Sequence, residues 1–544
     1  MFQIRDNIHG DITLEGMFAN IVNTPEFQRL RCIEQGDFRT VFPGARHDRF
    51  VHSLGAYHLA TKFVEGFFRN LPKDVLNIAP YDDDVECLKT TFRYAALLHD
   101  LGHAPFSHTT EKFYEEVPSS NPKLPLIWQQ LCDEIQAVAP DADYQRFVQS
   151  TKKKKGAAHE IMSAILLIRN RNRFIPEDQI ENVDLELAAR MVIGYTYAPT
   201  DKGAAPGEGE KMGLRNCLIQ LLNFGILDID RLDYLCRDTM MSGFTNAALD
   251  LETLASSVTA VKLENGWLAP AYRDSALRVF DLMFQAKLSH DAWVLANPAG
   301  RYNTALVIHC IRRLNDTIDP DYCNTIFSVD AMGQTGVDVA GKHYHLLSDI
   351  DVWADLKAQT GDEFKELFTR ELSVRRTAVW RSYYEYCHIF GDRAKDVYKF
   401  FSPLLKYMEK LKFFTFDPIT YGMILRTCND SAVRNAAKFL NEYLLEETES
   451  KEPYSIVLLD RDTAFTMSFD PADIRIVFPA TNIPLRDGEF TYSTYSALTG
   501  VTKNSIHKED YFYIFRRGGL GHHQLSCFRR KLLTLLSEVN TNDE

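Results

Sequence analysis

Apolar residues recur at three- and four-residue steps through most of this 544-residue chain, the spacing of one helical face. Between Met17 and Gln35 the rhythm runs through Phe18, Ile21, Val22, Phe27, Leu30 and Ile33. It breaks at Thr24-Pro25, which predicts two short helices, the second starting at the proline. Leu54, Tyr57, Thr61, Val64 and Phe68 predict an amphipathic helix with His52 in its first turn. Residues 88–101 predict another that ends near Gly102, and the rhythm returns over 159–169 and 185–195. From about 250 to 450 the pattern stays mainly helical, most clearly over Leu277–Val294, Tyr302–Leu314 and Val397–Phe414.

Other stretches read differently. About fifty residues between His108 and His159, ending in Lys152-Lys153-Lys154-Lys155-Gly156, read as an insertion. Such a lysine run is a solvated loop or, more pointedly, a lip that attracts phosphate. Residues 199–213 are rich in glycine, proline and charge and predict a mobile loop. After Pro453, SIVLLD, AFTMSF, IRIVFP and YFYIF are short β-rich runs between Asp, Pro and Gly clusters. YIFRRGGLGHHQ (513–524) reads as a hairpin connection, or as a phosphate cradle built on Arg516 and Arg517. The expected fold is mainly α: a helical core over 1–250 with its insertion at about 112–157, a helical extension over 251–450, and a smaller α/β or β-rich subdomain over 451–544.

Composition narrows the partners. A net charge of -13 disfavours a non-specific grip on nucleic acid or on an anionic membrane, so a polyanionic substrate requires a locally basic pocket. Ten cysteines are scattered without a CxxC pair, as reduced thiols are. The first residues lack a basic-then-apolar leader, and no apolar run approaches ~18 residues, so the expectation is a cytoplasmic protein with no membrane partner.

The chemistry concentrates in YAALLHDLGHAPFSH, residues 94–108. One His-Asp pair is common by chance, but His99-Asp100 is accompanied by His52 upstream and by Asp230 in GILDIDRLDYLCRD. Two imidazoles and two carboxylates make a donor set for a divalent metal (Mn2+, Mg2+, Fe or Zn2+), the ligand types alone not choosing among them. His103 and His108 add imidazoles at the same helix end. As a ligand in an accessible cleft, Asp100 is expected to be replaceable with little loss of stability.

DNIHGDITL, NTPEFQRLRCIEQ, VFPGARHDRFVHSLGAYHLA, AALLHDLGHAPFSH, AHE and GILDIDRLDYLCRD together resemble the HD-domain hydrolases, and within them the deoxynucleoside triphosphate triphosphohydrolases of bacteria and animals. The resemblance covers most of residues 4–110, then islands to 245, with a weaker one in HLLSDIDVWADLK (345–357). It implies an HD-domain helical core that cleaves deoxynucleoside triphosphates to deoxynucleoside and inorganic triphosphate, with depletion of nucleotides against phage as one role. By the same resemblance His52, His99, Asp100 and Asp230 hold the metal, and His103 and His159 act at the phosphate as candidate acids, with Glu160 orienting His159. Arg49 and His108 contact phosphate, and Gln35, Tyr234 and Asp238 meet the sugar or base.

Two departures bear on specificity and control. Lys287 stands where similar enzymes carry a phosphate-gripping arginine, and a lysine offers a point charge in place of a planar fork. Around TPEFQRLR, where animal-type relatives form a regulatory nucleotide site at a subunit interface, Gln28 and Arg31 are kept but Asn23 replaces an acidic residue. A nucleotide effector and a homo-oligomer are therefore open expectations. The alternatives are an HD phosphohydrolase or phosphodiesterase acting on another nucleotide, and a nucleotide-binding regulator with a vestigial site.

Overall fold

The Thr24 hydroxyl accepts from the Phe27 N–H (3.4 Å) and Pro25 occupies the start of helix Pro25–Gln28, so the chain turns sharply after helix Gly16–Val22. Ahead of them, Phe2–Asp6 and Gly10–Leu14 pair as an antiparallel hairpin. The computed structural model describes residues 2–37, 39–72, 82–118, 125–139, 144–145, 147–148, 156–197, 208–223, 227–243, 249–263, 267–369, 371, 375–447, 455–460, 474–478, 510–517 and 522–540. It is mainly helical, with a few small sheets.

Four helices carry the chemistry. Helix α1 (Arg49–Asn70) starts where Asp48 accepts from the Val51 N–H (3.1 Å), and its apolar stripe buries Phe63, Val64 and Phe67 completely. Helix α2 (Asp82–Leu98) packs beside α1 and delivers Tyr94, Leu97 and Leu98 to the same core. Helix α3 (Ala158–Arg169) is apolar nearly all round, and its Leu167 carbonyl accepts from the Tyr94 hydroxyl (2.9 Å). Helix α4 (Ile229–Met241) begins at Asp228, whose side chain accepts from the Arg231 N–H (2.8 Å).

The chain divides into two compact units that interleave in sequence. One comprises Met1–His290, Leu314–Ala354 and Met467–Ser505; the other comprises Asp291–Arg313, Asp355–Thr466 and Ile506–Glu544. This is not the consecutive division expected. In the first unit, strands Val258–Lys262 and Leu268–Arg273 pair antiparallel, and Arg475–Val477 joins them parallel to the second, bringing a late strand back beside an early one. In the second unit, Phe512–Arg517 lies between Arg376–Ala378 and Ile456–Asp460, antiparallel to both. An aromatic core of Trp380, Tyr386, Phe390 and Phe512 covers that sheet, and the Trp380 indole N–H donates to the Phe512 carbonyl (2.5 Å).

Several boundaries differ from the sequence reading. Glu208–Leu222 is a helix, so the loop expected over 199–213 is too long at its C-terminal end; Leu214, Cys217, Leu218 and Leu221 form a buried stripe that pulls the preceding turn into the helix. The 112–157 region contains helices Lys112–Glu116 and Leu126–Val138. Phe512–Arg517 leads toward helix His522–Asn540, so the expected hairpin connection joins a strand to a helix. Lys152–Lys155, Gly518–Gly521, residues 199–207 and the AFTMSF run lie outside the described residues. Among those described, no helix is long and apolar enough to cross a membrane.

Candidate metal centre and histidine cluster

Residues far apart in sequence meet where the start of α1, the end of α2 and the start of α4 converge. His52 Nε2 lies 2.9 Å from Asp230 Oδ1, 3.2 Å from His99 Nε2 and 3.4 Å from Asp100 Oδ2. His99 Nε2 lies 3.5 Å from Asp100 Oδ1 and 3.6 Å from Asp230 Oδ1. Ligands held at ~2.1 Å from one ion are separated by about 3.0 to 3.4 Å along the edges of an octahedron or a tetrahedron. These gaps, 2.9 to 3.6 Å, lie close to that size, with His52, His99 and Asp100 forming the mutually closest group and Asp230 reaching it through the two histidines.

The hydrogen bonding of the two rings supports the same fit. His52 Nδ1 contacts Asp233 Oδ2 (2.7 Å) and His99 Nδ1 contacts the Ala96 carbonyl (2.8 Å), both of which can only accept. With each Nδ1 committed as donor, both Nε2 atoms turn toward one point, and only a proton or a cation there relieves their mutual repulsion. Burial opposes charging His52, yet Asp230, Asp233 and Asp100 push its pKa up to about 10. That surplus of negative charge is what a divalent cation neutralises, so the residues fit the metal that the sequence implied.

Asp233 is the hub beneath this centre. Its carboxylate receives His52 Nδ1, His9 Nε2 (2.6 Å) and Arg237 through Nε (2.8 Å) and Nη2 (3.0 Å), and Arg237 Nη1 also reaches Asp6 Oδ2 (2.9 Å). The hub exists because Gly55 lets α1 and α4 touch: a Cβ at Gly55 would stand 1.9 Å from Asp233 Oδ1. Gly55→Ala is accordingly expected to destabilise the fold by about 1–3 kcal/mol, read as a lowered urea midpoint. An unchanged midpoint would mean that the helices are not in this contact.

A second cluster adjoins the first through Asp100, whose Oδ1 lies 3.0 Å from His103 Nε2. The rings of His103 and His159 stack with centroids 4.1 Å apart, and His108 meets both edge-on. Gly102 permits the approach, since a Cβ there would stand 2.3 Å from the Ser163 backbone nitrogen of α3. Glu111 Oε1 lies 2.8 Å from His159 Nδ1 and 2.6 Å from His108 Nδ1. Burial disfavours the charged ring of His159, but Glu111 raises its pKa to about 9. Burial and the charge of Arg49 push that of His103 well below the usual value. The two stacked rings are therefore pushed in opposite directions.

Glu160 does not orient His159. As the third residue of α3 it folds back to accept from the Ala157 N–H (2.7 Å), and its other oxygen accepts from Asn223 Nδ2 (2.7 Å). The capping geometry turns it away, and Glu111 occupies the position assigned to it.

Arg49, expected at phosphate, is buried and bonded to Asp100 Oδ2 (2.8 Å), Ser107 Oγ (3.0 Å) and the Gln35 carbonyl (2.8 Å). It bridges Asp100 to the segment carrying Gln35, whose Oε1 is buried without a hydrogen-bond partner among the described residues. Phe106 and Ser107, between His103 and His108, both have positive φ (64° and 50°), a strained turn for non-glycine residues. Asp349 holds it, accepting from the Phe106 N–H (2.7 Å) with one oxygen and from the Glu34 N–H (2.9 Å) with the other.

Tyr234 and Asp238 follow Asp230 along α4. Asp238 is buried between His47 Nε2 (2.7 Å) and His290 Nε2 (3.1 Å), while Tyr234 is half-buried with its ring 5.8 Å from that of His290. Lys287 is half-buried in helix Leu277–His290. Asn23, Gln28 and Arg31 form a separate group: Asn23 and Gln28 donate to the Ala19 and Val22 carbonyls (2.9 and 2.7 Å), and Arg31 Nε donates to Gln28 Oε1 (2.8 Å).

His9, His47, Glu111, Asp233, Arg237 and His290 escaped the sequence reading. Glu111 and Asp233 carried a faint signal, each three residues after a recognised site residue, His108 and Asp230.

Residues 49–127 match the family model of the HD domain. That stretch of the chain is similar to the HD domain. The chain is also related in sequence to curated proteins named deoxynucleoside triphosphate triphosphohydrolase SAMHD1. The one from Homo sapiens is 30% identical over 246 residues, 45% of this chain and 34% of that protein. The one from Xenopus laevis is 44% identical over 104 residues, 19% of this chain and 15% of that protein. An uncharacterized protein of Methanocaldococcus jannaschii is 44% identical over 109 residues, 20% of each. The chain thus spans about a third of the length of the human relative. A solved structure of a hypothetical protein from Aquifex aeolicus superposes with a TM-score of 0.54 at 17% identity, covering 98% of this chain and 99% of that one, which extends the likeness of fold well beyond the HD domain.

Proposed function

We propose that this chain hydrolyses deoxynucleoside triphosphates to a deoxynucleoside and inorganic triphosphate. The observation that carries the reading is the junction of the two clusters: the convergent donors of His52, His99, Asp100 and Asp230 are joined through Asp100 to a histidine pair pushed in opposite directions, 3.0 Å from Asp100 to His103. Those four side chains would hold a divalent cation, which when bound would supply positive charge for a phosphoryl group and acidify water. His159, kept protonated by Glu111, can give its proton to the departing 5′-oxygen, and neutral His103 and the His108 edge can donate hydrogen bonds to phosphate oxygens. Tyr234 and Asp238 lie one and two turns beyond Asp230 on α4; half-buried Tyr234 offers a ring for the sugar, and Asp238 holds His47 and His290. The HD-domain match supports phosphohydrolase chemistry, and the names of the relatives favour deoxynucleoside triphosphates as its substrate.

The test is to incubate the pure protein with each deoxynucleoside triphosphate, a ribonucleoside triphosphate, a nucleoside monophosphate and a cyclic nucleotide in manganese, and to separate the products by chromatography. Deoxynucleoside and triphosphate are expected. Release of phosphate from the γ end, or turnover of the cyclic nucleotide alone, would reject the proposal.

A further inference from the structure

The N-terminal DNIHG turn has no part in the chemistry above, yet it is wired into the metal centre. Asp6 Oδ1 accepts from the Ile8 and His9 backbone N–H groups (2.9 Å each), which shapes the turn between the strands of the first hairpin. The turn projects the His9 ring into contact with Asp233, only 4% of its side chain remaining exposed. Asp6 Oδ2 meanwhile takes Arg237 Nη1, and Arg237 grips the same Asp233 carboxylate. A closed circuit results: hairpin turn, His9, Asp233, Arg237 and back to Asp6.

Asp233 is the acceptor that fixes His52. Its Oδ2 is shared by His52 Nδ1 and Arg237 Nε, while its Oδ1 is shared by His9 Nε2 and Arg237 Nη2. Arg237 aligns the carboxylate with its guanidinium fork but sits one turn away on the same helix and moves with it, whereas His9 ties Oδ1 to a different element, the hairpin. The rotation of Asp233 in turn sets the tautomer and tilt of His52, and so the direction of its Nε2 lone pair.

We propose that His9 is a positioning residue for the metal centre: through Asp233 it orients His52, and the N-terminal hairpin thereby sets metal affinity. The inference rests on the reading of His52, His99, Asp100 and Asp230 as metal ligands.

Manganese is the probe, titrated by calorimetry into the full-length protein freed of metal with chelator. His9→Ala is expected to weaken manganese binding by about 10-fold, within the range seen for partners behind the ligands. His9→Gln, which keeps an N–H donor, is expected to recover most of the affinity. A purely structural role would lower thermal stability in both variants while leaving the dissociation constant at its wild-type value, and that result overturns the proposal. If His9→Ala does not fold, Asp6→Asn, which loosens the same turn, is read in the same titration with the same two outcomes. Absence of manganese binding by the wild-type protein would instead overturn the metal centre itself.

Discussion

Replacing Asp100 with alanine is expected to lower turnover by at least about 10²- to 10³-fold, the scale on which a site loses one stabiliser of transition-state charge. The variant should also melt earlier than the wild type. Asp100 is fully buried and bonded to Arg49, so alanine leaves a buried guanidinium without its carboxylate, a loss of about 3–5 kcal/mol where no other partner moves in. This reverses the sequence expectation of a ligand in an accessible cleft. Asp100→Asn separates the effects, because an amide oxygen still accepts from Arg49 while offering a cation no charge. Its melting temperature should lie closer to wild type than that of Asp100→Ala, with turnover still lost. Wild-type turnover in Asp100→Asn would remove Asp100 from the chemistry.

The second large effect is at His159. Its replacement by alanine should slow hydrolysis by about 10²- to 10⁴-fold, the usual size of a general-acid contribution, with metal still bound. The pH dependence carries more information. Because Glu111 holds the folded-state pKa of His159 at about 9, the rate should be sustained through neutrality and fall as pH rises through that value. In Glu111→Gln the fall should move to lower pH. The sign for stability follows the same raised pKa: the ion pair stabilises fully below about 6.5, the ordinary histidine value, and that contribution disappears between there and about 9. A rate profile unmoved by Glu111→Gln would leave His159 with a packing role.

The sequence was most informative where chemistry and periodicity coincide. His52 falls in the first turn of α1, and His99-Asp100 at the end of α2, because the apolar rhythm fixes which residues terminate each helix. The partners behind the candidate ligands were hidden for a different reason. Which carboxylate turns toward His159 depends on the cap at Ala157 that captures Glu160, and on the strained turn at Phe106–Ser107 that precedes Glu111. His9 and Asp233 are joined across 224 positions by a helix approach that Gly55 permits, which local spacing does not encode. The division into units was missed because strand Arg475–Val477 returns to Leu268–Arg273, a long-range pairing without a local signature.

In the proposed reaction water attacks the α-phosphorus and the 5′-oxygen departs. Reaction with a deoxynucleoside triphosphate in water enriched in oxygen-18, followed by mass spectrometry of the products, tests it most directly. One labelled oxygen in the inorganic triphosphate and none in the deoxynucleoside is the predicted result. Label in the deoxynucleoside, or in a single phosphate released with a nucleoside diphosphate, would contradict it.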